Sequence, residues 1–405
     1  MTKINTMENQ QQEKWKDKNR YLWLFGPMLP ISILIMCYLF SLYPNNTWIL
    51  SYGAFMLYVI VPVLDIILGQ DTNNPPESAV PQLENDLYYR LIVYSYVPLQ
   101  LLTTVFCIYL AIQPSTTVAQ IILLTLTAGG INGIGIVVGH ELGHKTRLFD
   151  QWMAKIGLST CVYGHFFVEH NWGHHVNVAT PEDPASSRLG ESFWEFLPRT
   201  VLGSLKSAQH IETKRLKRLG KSKWSLSNHN LQTWIISAIL FAAITIWLGW
   251  FALALLIAQA IFGFSLLEVV NYLEHYGLLR EKNPRTGRYV PCNPQHSWNS
   301  NNILTNLFIY QLQRHSDHHA NPHRSYQALR HFDESPQLPS GYATMILVAY
   351  IPWLWFKVMD KRVAAHYNYD LTRAHIHERK RAYYLNSPLH RANQSQGNNS
   401  VPSIL

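Results

Sequence analysis

Three long stretches without basic residues dominate the pattern of apolar and polar positions along the chain. Tyr21 to Gln70 contains no Lys or Arg, and neither Leu91 to Gly139 nor Leu231 to Leu267 contains any charged residue. About 20 apolar residues span a bilayer as a helix, and turn residues such as Pro44 and Gly249 divide the stretches. The pattern predicts an all-α integral membrane protein with six transmembrane helices in three hairpins, at roughly 21–43, 47–69, 91–112, 117–139, 232–249 and 251–270.

The basic residues surround these stretches unevenly. The predicted hairpin turns carry none, whereas four lie at 14–20 and twelve lie between Lys145 and Lys223. Because cytoplasmic loops carry an excess of Lys and Arg, both termini and all long loops are expected in the cytoplasm. The chain then divides into a cytoplasmic N-terminal segment (1–20), a six-helix membrane domain (21–365) and a cytoplasmic tail (366–405) that its composition predicts to be disordered from about residue 386.

A further apolar segment, 342–360, is interrupted by Pro352 and carries Trp353 and Trp355 near its charged end. A seventh span would place the C-terminus outside, so the segment is predicted to be an interfacial or re-entrant helix. The four cysteines form no CxxC pair and two lie inside predicted spans, so no disulfide framework or thiolate metal site is expected.

Nine of the 19 histidines fall into four clusters at the predicted cytoplasmic ends of spans or in cytoplasmic loops. Helical residues three or four apart share a face, so His140/His144, His170/His174 and His315/His319 can each converge on one ion. Adjacent helical residues diverge by about 100°, so the doublets 174–175 and 318–319 suit two neighbouring ions. The candidate metal ligands are His140, His144, His170, His174, His175, His275, His315, His318 and His319.

Several metals and functions fit such clusters. Imidazole suits zinc, copper, iron and nickel, and HELGH at 140–144 matches the HExxH motif of zinc proteases. An intramembrane zinc protease is therefore an alternative, although it leaves seven clustered histidines unused. A metal transporter is another, although its ligands are expected near the bilayer midplane. Two ions beneath uncharged helices favour oxygen chemistry on a hydrocarbon with iron, while copper or manganese stays open. Four histidines lack the doublet spacing and are expected to support the ligands or lie at the surface: His165, His296, His323 and His331.

The segments HELGHK, EHNWGHH, NYLEHYGL and LQRHSDHHA resemble the signature segments of integral-membrane alkane 1-monooxygenases, which share histidine boxes with membrane fatty-acyl desaturases. NNPPE at 73–77, ATPEDPASSRLGES at 179–192, HSWNSN at 296–301 and RSYQALR at 324–330 extend the resemblance. It covers about residues 20–365.

The resemblance implies a multi-pass protein of the bacterial inner membrane, with a cytoplasmic di-iron site held by the same nine histidines. It implies O2 as co-substrate, hydroxylation of the terminal methyl of medium- or long-chain n-alkanes, and electrons from NADH or NADPH through rubredoxin reductase and rubredoxin. No nucleic acid partner is expected, and no separate acid or base is assigned. Another histidine-box lipid hydroxylase or a desaturase stays open as an alternative.

Other residues are given supporting roles by their positions. Metal-bound histidines usually donate their second ring N–H to a partner, and five residues beside the histidines are placed to accept it or to orient the rings: Glu141, Glu169, Asn171, Glu274 and Asp317. Direct binding of a carboxylate to iron stays open. Small residues in the fourth span are expected to let helices pack closely: Gly129, Gly130, Gly133 and Gly135. The basic segment 214–223 is expected either to bind lipid headgroups or to receive an acidic electron carrier.

Overall fold

The computed structural model describes residues 15–390, and within them the secondary structure is helical apart from isolated β-bridges. Six helices in this part of the chain are long and apolar enough to cross a membrane, which confirms the predicted number. The helix corresponding to the predicted 91–112 begins earlier, because Asp86 accepts a hydrogen bond from the backbone N–H of Tyr88 and caps it. Spans 1 to 6 are Leu22–Leu42, Thr47–Leu68, Leu87–Ala111, Val118–Gly143, His229–Leu248 and Trp250–His275.

Further helices, most of them shorter, connect the spans and follow them. The α-helices are Val80–Asn85, Leu148–Ser159, Phe166–Glu169, His175–Asn177, Phe193–Arg218, Ile303–Phe308, His315–Ala320, Tyr342–Ala349, Pro352–His366 and Arg381–Leu385. Two segments are π-helical, Met56–Ile60 within span 2 and His170–His174 between two of the short helices. Short 3₁₀ turns lie at Glu77–Ala79, Pro294–His296, Tyr326–Ala328, Leu371–Arg373 and Glu378–Lys380.

Span 4 is the central helix of the bundle, since 72% of its apolar window is buried, more than in any other span. Its glycines allow close packing: a Cβ at Gly129 would lie 2.7 Å from the carbonyl oxygen of Gln259, and one at Gly133 would lie 3.0 Å from that of Gly263. Gly130 differs, because the nearest atom to its Cβ position is Leu57 Cδ2 at 3.9 Å. The prediction of close packing therefore holds at Gly129 and Gly133, whereas Gly130 faces free space.

A buried polar network also holds span 4 in place. The Asn132 amide donates to Gln259 Oε1 at 2.6 Å and to Thr104 Oγ1 at 2.9 Å, and the Gln259 amide donates to the carbonyl of Thr160 at 2.7 Å. These contacts tie spans 3, 4 and 6 together, because in hydrocarbon each polar group must find a partner within the protein.

Outward-facing apolar side chains are exposed along the spans. Ile66, Ile239 and Ile246 are between 65% and 85% exposed. Such exposure is expected where a helix faces lipid instead of water.

The segment 342–360 forms two helices, Tyr342–Ala349 and Pro352–His366, which are separated by Tyr350 and Ile351. Pro352 is tolerated because it opens the second helix, where its missing N–H would have no helical partner. Neither helix is among the candidate spans, so residues 15–390 contain no seventh candidate span.

The described part of the tail packs onto the domain. Ile376 forms a parallel β-bridge with Leu189, and the Tyr384 hydroxyl donates to Asp360 Oδ2 at 2.7 Å. Residues 386–390 form a turn and a short helical segment. The remainder of the segment predicted to be disordered, 391–405, lies outside the described residues, as do residues 1–14.

Candidate metal centre

Span 4 presents the first two histidines at its C-terminal end. His140 lies in the last turn, and His144 is the C-cap residue. Since they are four residues apart, their rings lie on one face of the helix, with centroids 4.9 Å apart. Both side chains are buried.

A π-helix sets the directions of the next three histidines. In a π-helix the hydrogen bonds run between residues five apart, and His170 and His175 meet with their Nε2 atoms 3.0 Å apart. His174 faces other partners, with its ring centroid 4.9 Å from those of His275 and His319. The prediction that His170 and His174 converge on one ion is therefore wrong, because it assumed α-helical spacing.

The short helix His315–Ala320 places its histidines against two different sets of partners. His315 and His319 bring their Nε2 atoms to 2.9 Å, as their four-residue spacing predicts. His318 turns away, so that its Nε2 lies 2.8 Å from that of His140 and 3.0 Å from that of His175. The predicted division of the adjacent doublet between two positions is confirmed.

All nine predicted histidines come together in two groups. Within each group the candidate ligand atoms lie within 4.8 Å of one another. The five-histidine group contains His140, His144, His170, His175 and His318, and the four-histidine group contains His174, His275, His315 and His319.

Asp183 fixes the orientation of His174. Its Oδ2 lies 2.9 Å from His174 Nδ1 and accepts a hydrogen bond from the Ser186 hydroxyl at 2.6 Å, while Oδ1 accepts from the backbone N–H of Ala185. A proton on Nδ1 leaves Nε2 of His174 with a free lone pair, the usual arrangement of a metal-bound histidine. Sequence reasoning missed Asp183, although it lies in the family-like segment 179–192.

Two further contacts hold the four-histidine group. Nδ1 of His275 lies 3.3 Å from the carbonyl oxygen of His296, so His296 supports a candidate ligand through its backbone. Glu274 Oε2 lies 3.1 Å from His315 Nε2, and Glu274 Oε1 accepts a hydrogen bond from the Tyr342 hydroxyl at 3.0 Å. Of the five residues predicted to orient imidazoles, Glu274 is the one with a direct contact to a grouped ring among the described hydrogen bonds and ion pairs.

Three of the other predicted orienting residues bind groups other than the histidine rings. Glu141 is ion-paired with Lys145 at 2.8 Å, and Asp317 is paired with Arg324 at 3.0 Å. The Asn171 amide donates to the backbone carbonyl of its own helix at residue 167. These contacts support the segments that carry the histidines without touching the rings.

Like His296, the other three histidines that lack doublet spacing lie outside both groups. The ring of His165 packs on Tyr163 with centroids 4.4 Å apart. His323 approaches the carbonyl oxygen of His144 at 2.8 Å, and His331 pairs with the exposed Asp333. Their positions agree with supporting or surface roles.

Burial keeps most of the grouped rings neutral. It lowers the pKa well below the usual 6.5, with neighbouring imidazoles adding to the effect, for His144, His170, His175, His315, His318 and His319. His174 is different: burial acts to lower its pKa, but the charge and hydrogen bond of Asp183 raise it above the usual value. Burial opposes ionisation of Asp183 too, yet His174 and Ser186 lower its pKa to about 2. Each neutral ring retains one unprotonated nitrogen that can bind a metal.

The donor set fits transition-metal ions. Nε2 of His144, His174 and His275 is buried and has no hydrogen-bond partner among the described residues, which is costly unless a ligand uses the lone pair. Neutral imidazoles without cysteine suit first-row metals such as iron, and five or four of them exceed the three protein ligands of a catalytic zinc. The arrangement fits one ion in each group.

An apolar cavity of about 130 Å³ lies between spans 1, 2, 4 and 6 and approaches this centre. Val137, three residues before His140, forms part of its wall, and so does Gly130. Tyr342 belongs to the same wall and donates its hydroxyl to Glu274, which touches His315. One hydrogen-bonded pair of side chains, Tyr342 and Glu274, thus links the cavity wall to the four-histidine group.

Helical spans that end in a buried histidine centre define a membrane protein of the histidine-box class, and residues 115–349 match the family model described as fatty acid desaturase. The chain is 51% identical to an alkane 1-monooxygenase of Acinetobacter baylyi over 91% of both chains, and 44% identical to alkane 1-monooxygenase 1 of Alcanivorax borkumensis over 92% of both. An alkane 1-monooxygenase of Pseudomonas putida is 42% identical over 96% of this chain and 97% of its own length. The chain belongs to the alkane 1-monooxygenase family, within the broader group that the desaturase model describes.

Proposed function

We propose that this protein hydroxylates the terminal methyl group of medium- and long-chain n-alkanes, with O2 as co-substrate and two iron ions held by the nine histidines. The observation that carries the proposal is the position of an apolar cavity between the spans, beside the two-group histidine centre. The names of the relatives, alkane 1-monooxygenases at 42% to 51% identity, support the same activity.

The cavity suits a substrate that has no polar group. An n-alkane gains affinity only by leaving water or lipid for a shaped apolar surface, at about 0.8 kcal/mol per buried CH₂ relative to water. A secondary C–H bond is weaker than a primary one, so attack at the chain end requires a shape that presents the methyl group first. Val137 and Tyr342 belong to the part of the cavity wall that lies close to the histidines, and we assign this part to the methyl group.

The reaction balances as R–H + O2 + 2 e⁻ + 2 H⁺ → R–OH + H2O, in which a C–H and the O–O bond break and a C–O bond forms. Bound iron supplies the redox chemistry that activates O2. The chain itself orients the candidate ligand rings: Asp183 holds a proton at Nδ1 of His174, and the carbonyl of His296 orients His275. The apolar wall excludes water from the substrate. No protein acid or base at the substrate carbon is needed.

We place the histidine side of the spans in the cytoplasm of a bacterial inner membrane, with both termini on that side, following the excess of basic residues there. Two electrons per turnover come from NADH or NADPH through rubredoxin reductase and rubredoxin. Lys214, Lys217 and Arg218 are exposed at the end of the helix Phe193–Arg218 and suit an acidic carrier. Arg215 does not belong to this surface, since it is paired with Glu212 at 2.6 Å and donates to the carbonyl of Ser227.

A second candidate is desaturation or hydroxylation of a lipid chain, which the match to the desaturase family model favours. Such an enzyme needs the same metal centre and differs in substrate and product.

The zinc protease alternative is weakened by Glu141, because its carboxylate is ion-paired with Lys145 and accepts a hydrogen bond from the backbone N–H of Tyr326. A general base at that position would need to reach a metal-bound water.

Supplying the purified protein with rubredoxin, its reductase, NADH and n-alkanes of graded length under ¹⁸O2 tests the proposal. We expect 1-alkanols that carry one ¹⁸O atom, identified by mass spectrometry. His319→Ala should give no product, whereas His210→Ala, at an exposed histidine of the helix Phe193–Arg218 outside both histidine groups, serves as the matched control. Alkenes, oxidised acyl lipids as sole products, or unlabelled alcohol would overturn the assignment.

A further inference from the structure

A second cavity, lined mainly by residues of polar or charged type and called the polar cavity below, reaches the centre from another direction. It has a volume of about 190 Å³ and lies between the first turns of span 3, the end of span 4 and the segment 323–327. Thirteen of its fifteen lining residues are of polar or charged type: Glu84, Tyr89, Arg90, Glu141, His144, Lys145, Thr146, Arg147, Asp150, His323, Ser325, Tyr326 and Gln327. Val93 and Leu142 complete it.

The walls of this polar cavity change from exposed to buried along its course. Arg147 and His323 are exposed and mark the outer end. Val93 and Leu142 are each 2% exposed and mark the inner end, together with His144 at 5%. Of the nine grouped histidines, His144 alone lines this cavity. The cavity therefore runs from the surface to one member of the five-histidine group.

Contacts between the walls keep the cavity open and wettable. Lys145 is paired with Glu141 at 2.8 Å and donates to Ser325 Oγ at 3.1 Å, bridging span 4 to the segment 323–327. His323 approaches the carbonyl of His144 at 2.8 Å and braces the same edge. Ordered water needs two to four polar partners, which Glu141, Lys145 and Ser325 offer in this cavity, whereas an apolar cavity stays dry.

The proposed reaction requires such a passage. Each turnover consumes two protons and releases one water, and neither can travel through the apolar cavity without wetting the alkane site. We propose that the polar cavity is the water passage of the metal centre, through which protons arrive along water and product water leaves. This inference rests on the proposed function for its purpose, while the presence of water in the cavity can be tested without turnover.

Span 3 offers a matched pair of positions for the test. Val93 and Val97 are one turn apart and 2% and 1% exposed, but Val93 lines the polar cavity and Val97 does not. Val93→Cys and Val97→Cys are made in a Cys292→Ser background, because the other three native cysteines are fully buried. The purified variants are treated with 2-aminoethyl methanethiosulfonate, a small hydrophilic reagent that forms a mixed disulfide with a thiolate in contact with water, and labelling is followed by mass spectrometry. Ser325→Cys provides a second cavity position if Val93→Cys does not fold.

We expect V93C and S325C to be labelled, while V97C stays unlabelled. Labelling should lower alkane turnover severalfold relative to the same variant before treatment, with iron content unchanged. An unlabelled V93C in folded protein, equal labelling of V97C, or full turnover after complete labelling would each overturn the water passage. Labelling of V93C in a protein that never hydroxylates alkanes would leave the wet cavity in place and contradict the proposed function instead.

Discussion

Oδ2 of Asp183 lies 2.9 Å from Nδ1 of His174, so a loop residue fixes the proton of a ring in the four-histidine group. Asp183→Asn should weaken iron binding about 10- to 100-fold, because partners of this kind typically contribute that much to metal affinity. Competition with a chelator, read as iron retained per chain, measures the loss. Asp333→Asn, at a fully exposed carboxylate, is the control. Equal iron retention in D183N and the unaltered protein would remove Asp183 from this role.

Gly130 faces the apolar cavity and leaves room for a side chain, with Leu57 3.9 Å from its Cβ position. Gly130→Ala and Gly130→Val should shift the preference towards shorter alkanes, by about tenfold or more for the larger side chain, since one methylene of fit is worth about 1–3 kcal/mol. Competition between two alkanes of different length in one reaction gives the ratio directly. Gly157→Ala, whose Cβ would make only ordinary contacts near 3.7 Å, is the matched control. An unchanged ratio in G130V would place the alkane elsewhere.

Lys155 is buried beside His229 and Gln232, with Nζ 3.0 and 2.7 Å from their side chains. Burial lowers the pKa of Lys155 from 10.5 to about 8. Between pH 8 and 10.5 the unfolded chain binds a proton that the folded chain has released, so this residue makes the folded protein more stable as pH rises through that window. Thermal unfolding at pH 7, 8, 9 and 10 should show the rise in the unaltered protein and a smaller one in Lys155→Met. The exposed Lys361→Met should keep the rise, and an identical profile in K155M would contradict the assignment.

Lys214, Lys217 and Arg218 form an exposed basic surface at the end of the helix Phe193–Arg218. If an acidic rubredoxin docks there, turnover at limiting carrier should fall as salt rises, since screening is substantial beyond about 8 Å at 0.15 M ionic strength. Reversal of the three charges to Glu should lower this rate and remove its salt dependence. Reversal of Lys282, Arg285 and Arg288, in the exposed turn after span 6, is the comparison. If turnover changes neither with salt nor on reversal of Lys214, Lys217 and Arg218, we would assign that surface to binding lipid headgroups.

The sequence predicted the spans well because the physical signal is strong and local. In lipid, the backbone polar groups of a long apolar stretch must find partners within the protein, which a helix provides, and turn residues such as Pro44 and Gly249 divide the stretches. The misplaced start of span 3 shows the limit of that signal: Leu87 begins it because Asp86 caps the helix, a local contact that hydropathy does not contain.

The nine histidines were also predictable, but their division between the two groups was only partly so. As α-helical geometry predicts, His315 and His319 lie in the same group, and His318 lies in the other group. His170 and His174 were wrongly paired, because their spacing in the sequence does not indicate a π-helix. Asp183 was missed because its contact with His174 depends on how the loop after the π-helix folds back.

Iron stoichiometry tests the central claim most directly, because each histidine group is assigned one ion. Metal analysis of purified, active protein should give about two irons per chain, as neutral imidazole groups of this size favour first-row transition metals. His319→Ala, which removes one ring from the four-histidine group, should lower that value and abolish hydroxylation, while the protein still inserts in the membrane. A single iron per chain, or full activity in protein that contains zinc and no iron, would contradict the two-iron centre.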